Sequence, residues 1–563
     1  MLLSNVNLLA KAPNGVARLR ELILTLAVQG KLVPQDPKDE PASELLKKIR
    51  VEKDRLIAEG KIKRDKPLAE IAEEEMPFLL PSGWEWERFG AIAGIERGGS
   101  PRPIDSFLTD DPDGLNWIKI GDTEKGGKYI TSASQKIRRE GLVKTRMVFP
   151  GDFLLTNSMS FGRPYITQIE GCIHDGWLRI SPPSSLNKDY LYLLLSSRFI
   201  RTVFEAAAAG GVVLNLNADK VRTVPIPLPP LVEQSRIVTR VEELMRLCDA
   251  LEAKGQLEAT QHTQLVSTLL ATLTDNETPA QLTENWHRIA THFDLLLDRP
   301  QAVDALEQTI LQLAVRGLLV PQDPQDEPAS ELLKKIRAEK DKLIAQGKIK
   351  RDKPLPPIAE DEQPFALPPG WEWVRIETLA DVGTGTTPSR DNVAFFANGS
   401  IPWVTSGETG KPFIAETAQH VTEFALLQTN LTVYPVGTLV LAMYGQGKTR
   451  GQVSELQIEA TTNQACAAIV LVEQSLAHRS FVKLVFEKSY DKIRQLSAGG
   501  AQPNLNVGKI KATLIPLPPL AEQSRIVTRV AQLRRLCSDL RKRLTASQST
   551  QAHLAEALVQ DVA

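Results

Sequence analysis

Two turn-rich stretches of the chain carry clusters of side chains that suit contact with nucleic acid. Arginine and lysine bind phosphate and the edge of guanine, whereas glutamine and asparagine suit adenine. The first stretch contains Arg97, Arg102, Lys119, Arg138, Arg139, Lys144, Arg146 and Arg163. The second contains Arg390, Thr405, Ser406, Lys411, Gln446, Lys448 and Arg450. Any one of these side chains can equally be an ordinary solvated surface group, but as sets on loops they predict two DNA-contacting surfaces.

One run resembles a nucleotide-binding loop. Residues 442–449 (AMYGQGKT) fit a loosened phosphate-loop pattern, with alanine at the first glycine position. Such a loop is followed by a helix whose N-terminus holds the phosphate. The sequence that follows, residues 450–453 (RGQV), is a poor helix start, and the corresponding run 160–164 (SFGRP) has no lysine. We therefore interpret residues 442–449 as a basic loop.

The sequence contains no recognisable catalytic pattern. It has no Asn/Asp-Pro-Pro-aromatic tetrad of a methyltransferase, and its seven histidines form no H-E-x-x-H motif. The four cysteines include no close pair, which argues against structural zinc and a disulfide framework. The pair His174-Asp175 stands alone and is typical of a structural role. The chain is predicted to be non-catalytic, with no metal or cofactor of its own.

The composition indicates an ordinary globular protein. At 563 residues the chain is too long for a single core. No apolar run reaches about 18 residues and the N-terminus does not resemble a secretion signal, so we expect a cytoplasmic protein without a membrane span. The net charge is −1, whereas a stand-alone DNA binder is normally basic. Either the basic groups are locally concentrated or a partner supplies much of the phosphate contact.

Nearly the whole chain is duplicated. Residues 41–50 (PASELLKKIR) recur 287 residues later, and so does the run 83–86 (GWEW). Each copy has a helix that ends at a glycine (Gly30 or Gly317), a second helix rich in Lys and Glu, a mixed domain and a long helix. The predicted boundaries are an arm at 1–83, a mixed domain at 84–228, a central long spacer helix at 229–294, a second arm at 295–370, a second mixed domain at 371–517 and a final spacer helix at 518–563.

The two mixed domains share short matching runs of sequence, but the residues between these runs differ. Residues 98–102 (GGSPR) correspond to 385–389 (GTTPS), and residues 117–119 (WIK) correspond to 403–405 (WVT). Between such anchors the two sequences diverge freely. Short β-branched runs between Gly, Pro and Asn turns predict strands, and helices are predicted near 188–207 and 480–497. Nearly identical scaffolds thus carry two different readers.

The motif IPLPPLxEQSRIVTRV occurs at 226–241 and again at 515–530. Its prolines predict an extended segment followed by a helix start. An apolar stripe at coiled-coil spacing follows in each copy, which predicts that the two long helices pair. The layers at Glu258 and Ser547 and at His262 and Gln551 are polar, and we expect them to set the register. The stripes consist of Ile237, Val241, Leu244, Cys248 and Leu251, and of Ile526, Val530, Leu533, Cys537, Leu540 and Leu544.

The repeated IPLPPLxEQ motif, the GW start and the TPSR-type turn at 387–390 resemble the specificity subunit of Type I restriction-modification systems. The runs LAVQGKLVPQDP and LAVRGLLVPQDP are similar to the longer-armed branch of that family. The resemblance covers essentially the whole chain, although Ser100-Pro-Arg-Pro departs from the TPSR form. It implies an α+β fold with an internal pseudo-two-fold duplication, in which two mixed α/β target recognition domains are joined and separated by long antiparallel coiled-coil helices.

The same resemblance implies the function and the partners. Each domain would read one half of an asymmetric bipartite site in double-stranded DNA. The helices would set the spacer and bind two adenine methyltransferase (modification) subunits, and restriction subunits would join for cleavage. S-adenosylmethionine, ATP and Mg²⁺ would be used by those partner subunits. The alternative is a coiled-coil interaction scaffold that binds DNA without sequence preference.

The expected dimensions fit this interpretation. A stripe from Ile526 to Leu558 extends roughly 50 Å at about 1.5 Å per residue. Two readers on the same side of B-DNA lie about 34–36 Å apart, one helical turn. Paired long helices of this size can therefore separate the readers, and because the readers differ, the target is expected not to be a palindrome.

Overall fold

The computed structural model describes residues 9–59, 67–124, 126–157, 161–208, 216–275, 279–351, 356–445, 449–490 and 505–562. The chain divides into two compact units. Unit 1 comprises residues 1–258 and 548–563, and unit 2 comprises residues 259–547. Within the described ranges, every helix is too short or too polar to cross a bilayer.

The arm of unit 1 consists of two helices, α1 (Gly15–Val28) and α2 (Ala42–Ala58). Gly30 follows α1 with a φ of 69°, which confirms the predicted glycine stop. The apolar face of α2 is buried, including Leu45 and Ile49. This face belongs to a core cluster that also contains Trp84, so the arm packs on the mixed domain of its own repeat.

The first mixed domain contains two five-stranded sheets and a short strand pair. Its strands are β1 (Glu85–Arg88), β2 (Gly94–Arg97), β3 (Leu108–Thr109), β4 (Leu115–Ile118), β5 (Tyr129–Ile130), β6 (Gln135–Ile137), β7 (Arg146–Val148), β8 (Phe153–Thr156), β9 (Pro164–Thr167), β10 (Gly171–Ile173), β11 (Trp177–Ser181) and β12 (Pro225–Leu228). The sheet orders are β3-β6-β4-β10-β7 and β2-β11-β8-β9-β5, and β1 pairs with β12. Its helices are α3 (Phe89–Ile92), α4 (Lys188–Ser196), α5 (Arg198–Ala208) and α6 (Ala218–Arg222).

Unit 2 has the same plan. Its helices are α8 (Pro279–Thr291), α9 (Phe293–Leu296), α10 (Pro300–Val315), α11 (Ala329–Ala345), α12 (Ile376–Leu379), α13 (Glu423–Gln428), α14 (Leu476–Lys488) and α15 (Val507–Lys511). Its strands are β13 (Glu372–Arg375), β14 (Ala380–Thr384), β15 (Ile401–Val404), β16 (Phe413–Ile414), β17 (His420–Val421), β18 (Leu439–Ala442), β19 (Val453–Leu456), β20 (Thr461–Thr462), β21 (Cys466–Leu471) and β22 (Leu514–Leu517). They form the sheets β14-β21-β18-β19-β16 and β17-β15-β20 and the pair β13-β22.

The proline-rich motif forms a strand that closes each mixed domain. β12 runs antiparallel to β1, with Pro227 opposite Trp86, and β22 runs antiparallel to β13, with Pro516 opposite Trp373. Proline lacks an N–H, so it is tolerated in a strand that is paired on one edge. The predicted extended segment is therefore confirmed in both copies.

The long helices α7 (Leu231–Thr272) and α16 (Leu520–Val562) begin directly after these strands. Residues 231–258 of α7 belong to unit 1 and residues 259–272 belong to unit 2. Helix α16 shows the reverse arrangement, because residues 520–547 lie in unit 2 and residues 548–562 lie in unit 1. Each long helix therefore contributes to the cores of both repeats.

The residues of the apolar stripes are buried or half-buried, but their described neighbours include helices that the pattern did not predict. Ile237, Val241 and Cys248 share a core cluster with residues of α1, and Arg20 of α1 forms ion pairs with Asp249 and Glu252 of α7. In unit 2, the stripe of α16 shares a cluster with α10 in the same way. The arm helix of the same repeat therefore covers the first half of each stripe. The pairing of the two stripes with each other remains a prediction.

Three predicted helices differ from the structure in extent. The segment 229–294 is not a single spacer helix, because α7 ends at Thr272 and α8 is separate. The helix predicted near 188–207 is two helices, with Ser197 between α4 and α5 in an extended conformation (ψ 151°). In the second domain α14 ends at Lys488, and residues 491–497 of the predicted helix lie outside the described residues.

Candidate nucleic-acid interface

A groove of about 1010 Å³ opens in the first mixed domain. It is formed by the 100–105 loop, the turn after β4, residues of β3, β4 and β6, and His174, which follows β10. Its lining includes two predicted contact residues, Arg102 and Lys119, together with the buried Trp117. The side chain of Arg102 is 81% exposed. The structure thus places two of the predicted cations on one concave surface.

Asp175 connects this groove to a third predicted cation. Its carboxylate accepts a hydrogen bond from Ser100 Oγ at 2.7 Å, and Arg102 Nη2 lies 3.6 Å from Oδ2. Arg97 Nε donates to the Asp175 backbone oxygen at 3.2 Å. The Ser100 hydrogen bond, opposed by partial burial, lowers the pKa of Asp175, which favours the ionised carboxylate. Arg97 and Arg102 therefore flank a fixed hydrogen-bond acceptor.

His174 has a structural position, as the sequence predicts. Its ring lies 6.3 Å from the Trp117 ring and 6.2 Å from the Trp177 ring. Nδ1 lies 2.8 Å from the Gly176 amide nitrogen, and Nε2 lies 3.2 Å from the Ile120 amide nitrogen. Burial lowers the pKa of His174, so the ring is neutral near pH 7. A neutral imidazole accepts a hydrogen bond at one nitrogen only, and the shorter contact assigns that role to Nδ1, which holds the turn between β10 and β11.

Two glycines allow the loops around this turn to approach each other closely. A Cβ on Gly98 would lie 2.2 Å from the His174 carbonyl oxygen, and a Cβ on Gly385 would lie 1.6 Å from the Thr462 carbonyl oxygen. Real contacts of this kind do not occur, so any side chain would displace the loop. The first residue of the GGSPR and GTTPS runs is therefore required by the backbone.

The segment 138–146 packs beside the same loop. A Cβ on Gly141 would touch Pro101 at 3.3 Å, and Gly99 lies against the Lys144 carbonyl. Lys144 Nζ lies 5.7 Å from the Phe107 ring centroid, and Arg146 Nη1 donates to the Thr145 carbonyl at 3.0 Å. The exposed cations of this segment are Arg138, Arg139, Lys144 and Arg146. Arg163, beyond β8, is half-buried.

In the second domain the predicted residues have more varied positions. Thr405 occupies the place of Lys119, and both precede a short 3-10 turn whose acidic residue accepts from their backbone N–H. The Thr405 hydroxyl is also 3.2 Å from Glu408, so it is already engaged. Arg390 and Lys411 are exposed, and Ser406 and Arg450 are half-buried. Gln446 and Lys448 lie outside the described residues, as does part of the loop 442–449.

Sequence reasoning missed Asp175 and Gln464 as candidate contact residues. β10 and β4 are parallel with Cys172 opposite Trp117, and β20 and β15 are parallel with Thr461 opposite Trp403. This shared register makes Asp175 and Gln464 equivalent positions. The equivalence of Trp117 and Trp403 was visible in the sequence. The pairing of their strands with β10 and β20, which makes Asp175 and Gln464 equivalent, was not.

The described residues contain no group of three or more His, Cys, Asp or Glu side chains arranged to hold a metal ion. The groove carries Arg102 and Lys119 on one surface, with the Asp175 carboxylate beside Arg102, and these groups suit a polar ligand that offers both acceptors and donors.

Comparison with known proteins agrees with this architecture. The model of the Type I restriction modification DNA specificity domain matches residues 81–261 and 368–547. The Type I restriction enzyme EcoAI specificity subunit of Escherichia coli is 36% identical over 573 residues, covering 97% of this chain and 93% of the relative. The EcoEI specificity subunit of the same species is 37% identical over 575 residues, with the same coverage. A solved HsdS subunit from Thermoanaerobacter tengcongensis is 18% identical, with a TM-score of 0.36, and covers 87% of this chain and 98% of its own.

Both matches to the family model start just before a GW run and end within a long helix, so each contains a complete mixed domain and the beginning of the helix that follows it. This agrees with the α+β fold and internal duplication described above. The chain belongs to the family of Type I restriction-modification specificity subunits.

Proposed function

We propose that this chain determines the DNA sequence recognised by a Type I restriction-modification complex. Each mixed domain reads one half of an asymmetric bipartite site in double-stranded DNA. The chain itself carries out no chemistry; S-adenosylmethionine, ATP and Mg²⁺ serve the partner subunits.

The observation that carries this proposal is that the two mixed domains share one strand arrangement but present different polar side chains on it. Both domains have the same parallel pairing beside a buried tryptophan and the same closing strand. Thr405 of the second domain occupies the position that Lys119 occupies in the first, and Gln464 occupies the position of Asp175. A duplicated scaffold that differs in its exposed polar groups suits two different half-sites, because base identity is read through hydrogen bonds to base edges.

The long helices support the second part of the proposal, in which they set the spacer and bind two modification subunits. They contain 42 and 43 residues, which corresponds to roughly 63 Å at about 1.5 Å per residue. Leu247 and Leu536, at equivalent positions, are 60% and 64% exposed. The matched exposure of these two leucines offers a partner subunit the same apolar contact on both helices. Restriction subunits would then join this complex for ATP-dependent cleavage.

Domain exchange tests this proposal. Residues 84–225 are replaced by the corresponding segment of the EcoAI specificity subunit, and the variant is expressed with the cognate modification subunits. Sequencing of methylated adenines should show a change in one half of the motif, with the other half and the spacer retained. The matched exchange of residues 371–514 should change only the other half. A motif altered in both halves by either exchange contradicts modular reading, and methylation without sequence preference favours the scaffold alternative.

A further inference from the structure

The turn that follows β10 in the first domain and β20 in the second is built in the same way. In the first domain His174 Nδ1 lies 2.8 Å from the amide nitrogen two residues ahead, that of Gly176. In the second domain Asn463 Oδ1 accepts from the amide two residues ahead, that of Ala465, at 3.1 Å. The first residue of each turn is therefore used by the turn itself. Its chemistry differs between the domains, but its role does not.

The second residue of each turn is presented outward. Asp175 has a side chain that is 41% exposed, and Gln464 is exposed. The backbone around each residue is held by hydrogen bonds. Arg97 Nε, at the end of β2, donates to the Asp175 backbone oxygen at 3.2 Å. In the second domain the Cys466 amide donates to the Asn463 carbonyl at 3.2 Å, and Thr384 Oγ1, at the end of β14, donates to the Cys466 carbonyl at 2.9 Å. A rigid backbone with an accessible polar side chain is the arrangement that sequence readout requires.

The two side chains differ in what they can recognise. Ionised Asp175 only accepts hydrogen bonds, and the neighbouring Arg102 only donates them. In the major groove a G·C pair presents guanine O6 and N7 as acceptors and cytosine N4 as a donor, which matches this pair of residues. Gln464 carries one acceptor and one donor group and matches adenine N7 and N6.

We propose that Asp175 and Gln464 are specificity-determining residues, Asp175 together with Arg102 for a G·C pair in one half-site and Gln464 for an A·T pair in the other. This inference rests on the proposed function in DNA recognition and assigns two of the bases to named side chains. The Ser100 hydrogen bond holds the Asp175 carboxylate in place for this contact.

The experiment uses the complex of the full chain with its modification subunits. The wild-type motif is first determined from methylated adenines. Methylation rates are then measured on duplexes that carry each single base-pair change in both half-sites. Asp175→Ala should reduce discrimination at one G·C pair by on the order of 5- to 100-fold, and Gln464→Ala should do so at one A·T pair of the other half-site. Asp219→Asn, an exposed aspartate on α6 of the first domain, is the matched control and should leave every position unchanged.

The outcomes separate this inference from the proposed function. If the wild-type complex methylates without a bipartite motif, the proposed function is wrong. If the motif is present and Asp175→Ala keeps full discrimination at every position, the assignment of Asp175 is overturned. A uniform loss of rate on all duplexes also overturns it, because it indicates a phosphate contact or a damaged loop. Asp175→Asn, which keeps the side-chain shape and the contact with Ser100, should shift discrimination at the same base pair while the complex assembles normally.

Discussion

Trp84 Nε1 donates a hydrogen bond to Glu233 Oε2 at 3.0 Å, and 287 residues later Trp371 Nε1 donates to Glu522 Oε2 at the same distance. These bonds join the GW run that opens each mixed domain to the EQ pair that begins each long helix. The other oxygen of Glu233 accepts from Gln35 of the arm at 3.2 Å. One buried carboxylate therefore connects arm, domain and helix, and the motif IPLPPLxEQ defines a joint between all three.

Removal of this carboxylate should loosen the joint. Glu233→Ala leaves the Trp84 N–H without a partner in a buried position, and an orphaned buried donor costs about 1–3 kcal/mol. We expect a loss of unfolding free energy of that size, measured by urea denaturation. Glu233→Gln keeps an acceptor for the Trp84 N–H and should therefore lose less unfolding free energy than Glu233→Ala. An alanine variant as stable as the wild type would show that the joint is held by apolar packing alone.

The same carboxylates should make stability depend on pH. Burial, partly offset by hydrogen bonds from the neighbouring glutamine and tryptophan, raises the pKa of Glu233 and of Glu522 above the ordinary value of 4.5. The folded state then holds these protons more tightly than the unfolded state, so stability falls as the pH rises from 4.5 through the folded pKa. The double variant Glu233→Gln, Glu522→Gln should flatten this part of a stability-pH profile. An unchanged slope would assign the dependence to other groups.

Much of the fold followed from the sequence because the repeat provides its own alignment. The extended prolines, the two helix-terminating glycines and the buried Trp84 and Trp371 were all predictable from local patterns. The partner of the apolar stripe was not, because heptad spacing shows that a face is buried but not which helix covers it. The positions of Ile237 and Ile526 are equally consistent with pairing between the two long helices and with packing against the arm helix of the same repeat.

The site was only partly predictable for a related reason. Arg97, Arg102 and Lys119 could be chosen by type, since cations on loops suit DNA. Asp175 was interpreted with His174 as a structural pair, and only its contact with Ser100 and Arg102 shows it as an oriented acceptor. Thr405 was chosen by type, whereas its hydroxyl is occupied by Glu408.

The four cysteines should react slowly in the folded protein. All are buried, and burial raises the pKa of Cys172 to about 11 and that of Cys466 to about 12. Cys248 and Cys537, at equivalent positions on the long helices, also have raised pKa values because of burial. Since the thiolate is the reactive form, a thiol reagent at pH 8 should modify these residues only after denaturation. An exposed thiol introduced by Ser132→Cys provides the fast-reacting control, and rapid reaction of the native cysteines would contradict their burial.

The polar layer predicted at His262 and Gln551 stays a prediction, and the described contacts of its two members differ. His262 Nε2 lies 3.1 Å from the Leu295 carbonyl oxygen and 3.3 Å from Asp298, both within unit 2, whereas Gln551 is exposed and belongs to unit 1. His262→Leu removes the donor for Leu295 and should cost about 1 kcal/mol of unfolding free energy. Gln551→Leu is the matched control and should change stability by no more than about 0.5 kcal/mol, as expected for a surface position.

If the two leucine variants were equally destabilising, and the double variant lost less unfolding free energy than the sum of the two single losses, the residues would be coupled and the register hypothesis would stand. Independent effects, with the spacer of the methylated motif unchanged, would instead assign His262 to the junction between α7 and the segment that follows α9.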